Sequence, residues 1–125
     1  MYSVAVRQDF VARHYLLGGG DGPENSLHSH DYRVEVQLEG RSLNKYGYLV
    51  DIDVIKDGLE ALLSKYRNKT LNDTPEFDGL NPSVEHFARI MCEGLFNRIQ
   101  QSSLVAVTVK MWEDENAWAA FRQEW

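Results

Sequence analysis

The chain has a single cysteine, Cys92, so it cannot form an internal disulfide, and a reducing compartment is expected. No apolar run approaches the length needed to cross a bilayer, and the first residues carry no signal-peptide pattern. The expectation is a cytoplasmic protein with no membrane partner. Basic residues are in the minority, 13 Lys and Arg against 19 Asp and Glu, for a net charge of −6. With no basic stripe interleaved with aromatics, the balance argues against nucleic acid as a partner. The glycines of Leu16-Leu-Gly-Gly-Gly-Asp-Gly22 are not followed by the Gly-Lys-Ser/Thr of a phosphate cradle, nor by a helix pattern. Internal repeats and low-complexity tracts are absent.

What is present describes one globular domain spanning 1–125, with 43% hydrophobic and 26% charged residues. Its most informative residues are three of its four histidines. His28 and His30 sit two apart in Leu27-His-Ser-His-Asp-Tyr-Arg-Val-Glu-Val-Gln-Leu38, which alternates like a half-buried strand. Side chains two apart on a strand point to one face. His14 closes a second alternating run in which Val4, Val6, Phe10 and Ala12 share its phase. If the two runs pair as an antiparallel hairpin, three neutral imidazoles can converge on one ion. That is the donor set of a catalytic zinc site with its fourth position open. The alternative is three unrelated polar residues on strand faces.

The rest of the chain supplies a scaffold for such a hairpin. From Asp51 onward Ile52, Ile55, Leu59, Leu62 and Tyr66 recur at helical spacing. A second helix opens near Pro82-Ser83, capped by Asn81 or Ser83, and buries Val84, Phe87, Met91 and Leu95. Cys92 falls in that helix as a small buried hydrophobe. Leu104 to Glu113 alternates as a third strand, and Trp118 to Trp125 as a fourth. The order β-β-α-α-β-β predicts an α+β fold, a four-stranded antiparallel sheet with two helices on one face. Its two open edges invite self-association.

These segments, taken in order, resemble the 6-pyruvoyl-tetrahydropterin synthase family, which includes the 6-carboxy-tetrahydropterin synthases of queuosine biosynthesis. The resemblance covers nearly the whole chain: Phe10-Val-Ala-Arg-His14, His28-Ser-His30, Gly47-Tyr-Leu-Val-Asp51, Leu71-Asn72, Asn81-Pro-Ser-Val-Glu85 and Trp112-Glu113. It implies a T-fold whose trimers close a barrel and stack as hexamers, with active sites between subunits. It also implies Zn2+ held by His14, His28 and His30, and a pterin anchored by the carboxylate of Glu113. Without the family pattern, Glu113 reads as a solvated strand end.

Two departures bear on chemistry. Family members usually carry a cysteine four residues before the first histidine of the pair, where this chain has Glu24. The family's Asp-His dyad falls at Arg67-Asn68, and an asparagine cannot shuttle protons. A free carboxylate, with a pKa of about 4.3, needs burial to act as a base near neutrality. A branch of the superfamily with glutamate in place of the cysteine resembles an aldolase, cleaving dihydroneopterin for folate synthesis, and Glu24 fits that branch. The expected activity is thus a zinc-dependent carbon–oxygen or carbon–carbon lyase on 7,8-dihydroneopterin or its triphosphate, with Glu24 as base. The alternatives are a paralogue that binds zinc and a pterin without the family reaction, Glu24 being only an exposed loop acid, and a structural protein whose histidines bind nothing. Arg13, Arg33, Arg67 and Lys69 are the basic residues that could meet a phosphate.

Overall fold

The computed structural model describes residues 1–125. Two long alternating runs become strands β1 (Tyr2–His14) and β2 (His28–Gly40), paired antiparallel over thirteen residues with His14 opposite His28. After β2 the chain makes helices α1 (Ile52–Leu63) and α2 (Val84–Arg98), then strands β3 (Leu104–Trp112) and β4 (Trp118–Glu124). The sheet order is β1-β2-β3-β4, antiparallel throughout, which is the α+β arrangement the sequence pattern predicts.

Both helices start where their capping chemistry allows. The Asp51 carboxylate accepts from the Asp53 N–H at 2.9 Å, and Ser83 Oγ from the His86 N–H at 3.1 Å, each satisfying a donor the first turn leaves free. Ile55, Leu59, Leu62 and Leu63 of α1 and Phe87, Met91, Cys92 and Leu95 of α2 are buried in one core with the inward side chains of β2 and β3. Ile52, placed in the α1 stripe by its spacing, is exposed instead, because it lies at the helix start beyond the sheet. Tyr66 is buried although α1 ends at Leu63; it packs edge-on against Phe77 and Phe87. Burial pushes the Cys92 thiol up to about 11, so it is an inert core residue.

One expected open edge is half covered. The segment after α1 runs beside the end of β1, with the Asn68 N–H donating to the Val11 carbonyl at 2.7 Å and the Arg13 N–H to the Lys69 carbonyl at 2.8 Å. Asn68 makes this possible by taking a left-handed φ of 59°, which asparagine tolerates better than most residues. The first half of β1 and all of β4 remain uncovered.

Candidate metal centre

Strand phase places the three histidines together. Side chains of β1 and β2 that face the helices include Ala12, His14, His28, His30 and Tyr32, and the sheet runs past the helices at this end. His14 is buried, while His28 and His30 are half-buried. The Nε2 atoms of His14 and His28 lie 3.0 Å apart, as do those of His28 and His30. The ligand atoms of all three fall within 4.8 Å of one another.

The outer nitrogens decide what this cluster can hold. His14 Nδ1–H donates to the Pro82 carbonyl at 2.9 Å, and His28 Nδ1–H to the Ser26 carbonyl at 2.7 Å. Carbonyls accept only, so each bond puts a ring proton on Nδ1, and in the neutral ring Nε2 then carries the lone pair. Two lone pairs facing each other at 3.0 Å repel unless a proton or a cation lies between them. The donor set therefore fits a divalent ion that takes imidazole nitrogen, with carbonyl partners of the kind that orient ligating histidines. Burial, against the opposing pull of the Pro82 bond and with the neighbouring imidazoles, holds the His14 pKa below its usual value, which favours the neutral ring that metal ligation requires.

Two further groups line the cluster. Tyr32 is buried with its hydroxyl 3.2 Å from His14 Nδ1; burial and then the Glu113 charge raise its pKa, so the phenol stays protonated. The Glu113 carboxylate, one residue past β3, stands 3.2 Å from His30 Nε2 and 3.6 Å from His14 Nε2. Four of the five expected site residues thus meet at one corner.

Glu24 does not meet them. It sits on the exposed 3-10 turn Pro23–Asn25, four residues before His28, and makes no hydrogen bond to the cluster. Its carboxylate folds back over Gly22, where an added Cβ would lie 2.8 Å from both oxygens. The residues that replace the family dyad are also engaged elsewhere. Arg67 pairs with Glu60 at 2.7 Å, and Glu60 also accepts from Gln8 at 2.9 Å. Of the four basic residues considered for a phosphate, Arg33 is held by Asp9, Arg13 by the Asn68 carbonyl and Arg67 by Glu60. A phosphate role for Arg67 would have to break that pair. His86 donates Nδ1–H to the Asn81 carbonyl at 2.7 Å.

Two grooves open on the surface, the smaller of them reaching Tyr32 beside the cluster. One of about 800 Å³ runs between the start of β1 and the Leu43–Asp53 segment. Another, of about 400 Å³, lies against Asp9, Arg33 and Trp112. Neither includes a histidine. Tyr32 was missed in the sequence although its phase, two after His30, was there to read. The carbonyls of Ser26 and Pro82 leave no mark in side-chain chemistry.

Comparison with known proteins agrees with this architecture. A family model described as 6-pyruvoyl tetrahydropterin synthase matches residues 3–124. An Archaeoglobus fulgidus protein, provisionally named a 6-carboxy-5,6,7,8-tetrahydropterin synthase, is 23% identical over 96% of this chain and 95% of its own. The fold is that of the Caenorhabditis elegans 6-pyruvoyl tetrahydropterin synthase, with a TM-score of 0.83, 22% identity and coverage of 98% and 95%. It is also that of a Plasmodium vivax 6-pyruvoyltetrahydropterin synthase in which a catalytic glutamate is replaced by cysteine, with a TM-score of 0.81, 16% identity and 98% of each chain covered. With the family model spanning nearly every residue, the chain belongs to the 6-pyruvoyl tetrahydropterin synthase family.

Proposed function

We propose that the chain is a zinc-dependent lyase acting on 7,8-dihydroneopterin or its triphosphate, with Glu24 as the base and Glu113 as the pterin anchor. The observation that carries this reading is the histidine cluster: three imidazoles with Nε2 atoms 3.0 Å apart, two of them fixed by carbonyls in the ligating tautomer, in a chain of this family. His14, His28 and His30 would hold the ion, which when bound supplies Lewis-acid polarisation of side-chain hydroxyls. Glu113 lies where a carboxylate can accept hydrogen bonds from pterin N–H donors beside that ion. Tyr32 and Pro82 keep the His14 ring in place.

The proton acceptor distinguishes this chain within its family. A glutamate is described as the catalytic residue of the Plasmodium vivax relative, which supports Glu24 in the place usually taken by cysteine. In an aldolase-like cleavage, Glu24 takes the proton of the side-chain hydroxyl just beyond the bond to be broken. The electron pair of that carbon–carbon bond passes into the conjugated ring, and a proton returns to the carbon left on the pterin. The products are 6-hydroxymethyl-7,8-dihydropterin and a short aldehyde. Reaching the substrate requires the Glu24 side chain to swing off Gly22, and a second copy packed over the turn would provide the burial a carboxylate base needs.

A second reading has its own observation. Glu24 turned onto Gly22 and Arg67 locked to Glu60 also suit a paralogue that binds zinc and a pterin without turning it over. Incubation with dihydroneopterin, with and without its triphosphate, and mass analysis of products separates the two. The enzyme reading expects about one zinc per chain, a cleaved product, and Glu24→Gln protein that keeps its zinc but loses turnover. Undiminished turnover in Glu24→Gln removes Glu24 from the chemistry. Bound pterin with no product from either compound establishes the paralogue.

A further inference from the structure

β1 stops at His14, yet the next three residues are not left loose. Tyr15 N–H donates to Asn72 Oδ1 at 3.0 Å, and Asn72 Nδ2 donates to the Tyr15 carbonyl at 2.9 Å, so one side chain satisfies both backbone groups as a neighbouring strand would. Leu17 N–H donates to Asn81 Oδ1 at 2.8 Å. Between these two clamped residues, Leu16 N–H donates to the Glu24 carbonyl at 2.8 Å, and its own carbonyl accepts from Asn25 Nδ2 at 2.9 Å. The glycine-rich loop is therefore pinned at its mouth. At its tip, Gly18, Gly19 and Gly20 all have positive φ and are exposed, and the Gly18 carbonyl accepts from Asn25 Nδ2 at 2.6 Å.

We infer that Asn72 and Asn81 are positioning residues for Glu24, fixing the Tyr15–Leu17 segment from which the glutamate's backbone hangs. The inference rests on the reading of Glu24 as the base. Asn81 also couples the clamp to the metal corner, because the next residue, Pro82, supplies the carbonyl that orients His14. Glu24 is thereby registered against the histidines through two short paths, although its side chain is free to move. The two asparagines differ in what they supply. Asn72 is both acceptor and donor, whereas the Asn81 side chain only accepts from Leu17. A carboxylate can replace the second and not the first.

The test uses the zinc-loaded protein with 7,8-dihydroneopterin as probe. Asn72→Asp is expected to lower kcat by about 100-fold, the order that an ångström-scale misplacement of a reacting group produces, with KM and zinc content unchanged. Asn81→Leu behaves likewise, while Asn81→Asp retains the wild-type kcat. In a Glu24→Gln background Asn72→Asp causes no further loss, because both changes remove one contribution. Wild-type kcat in Asn72→Asp, losses that add to those of Glu24→Gln, or loss of zinc overturns the inference. Hydrogen exchange, which needs no substrate, provides a second readout. In Asn72→Ser the Tyr15 and Leu16 amides exchange faster while those of β2 do not, and unchanged exchange at both also overturns it. Glu24→Gln that remains fully active defeats the underlying reading. A dead Glu24→Gln beside a fully active Asn72→Asp defeats the positioning role alone.

Discussion

His14 is the one histidine of the cluster sealed from water, and the pH behaviour of the metal-free chain follows from that. Burial holds its folded pKa below the unfolded value of about 6.5. Below that pH the unfolded chain binds a proton that the folded chain resists, so the stabilising contribution is complete above about pH 6.5 and declines as pH falls. Chelator-treated protein should therefore unfold at progressively lower urea concentration as pH is taken from about 7.5 to 5.5. His14→Gln should flatten that slope, and an equally steep dependence in the variant would assign it elsewhere. Zinc bound by the cluster would strengthen the same trend, because protons would compete with it for the imidazoles. Glu60 shows the contrasting case: Arg67 and Gln8 hold its carboxylate down at about 2, but the group is exposed, and screening leaves such pairs little weight in stability.

Among the elements, glycines separate positions where the fold needs a missing side chain from positions that merely tolerate one. A Cβ at Gly58, in the middle of α1, would meet Ile99 and Leu95 at 3.7 Å, ordinary contact distance. Gly58→Ala is expected to stabilise by about 0.5–1 kcal/mol, raising Tm by about 2–4 °C. At Gly40, where the β2–β3 register shifts, a Cβ would lie 2.5 Å from the Ser103 carbonyl oxygen and from Leu49 Cδ1. Gly40→Ala should lower Tm, and a rise there or a fall at Gly58 in thermal melts would contradict these contacts. The elements themselves were legible in the sequence because hydrophobic period reports which face is buried. Period two gave both strands of the histidine hairpin, and their shared phase put His14, His28 and His30 on one side. The exposure of Ile52 and the end of α1 before Tyr66 were not legible, since period says nothing of where a helix runs out of sheet to cover. Nor were the bonds from His14 to Pro82 and from Asn72 to Tyr15, which join residues 68 and 57 positions apart. The motifs containing these asparagines could be seen, but the bonds they make exist only once the chain has folded.

For the whole molecule, the unfinished surfaces lie close to one another. The N-terminal half of β1 has no partner strand beyond it, and beside it Tyr2, Leu43, Tyr46, Tyr48 and Ile52 are exposed around the groove of about 800 Å³. A bare strand edge next to an apolar patch is a liability for a monomer and an asset for a subunit. The other free edge, β4, ends the sheet on the opposite side. A second copy presenting β4 to β1 would continue the hydrogen-bonded ladder and cover the tyrosines, and repetition of that contact would close a ring where the rotation between copies returns to the first. The single-chain site also lacks the cover that Glu24 would need to act as the proposed base, so on that reading assembly and catalysis should fail together. Sedimentation is expected to give a mass that is a multiple of 14.4 kDa. Replacing Tyr46 and Tyr48 together by Asp should shift the protein toward monomer and reduce turnover, while each chain keeps its zinc because all three histidines belong to it. A wild-type monomer at working concentration, or a monomeric double variant with full turnover, would refute this coupling of assembly to activity.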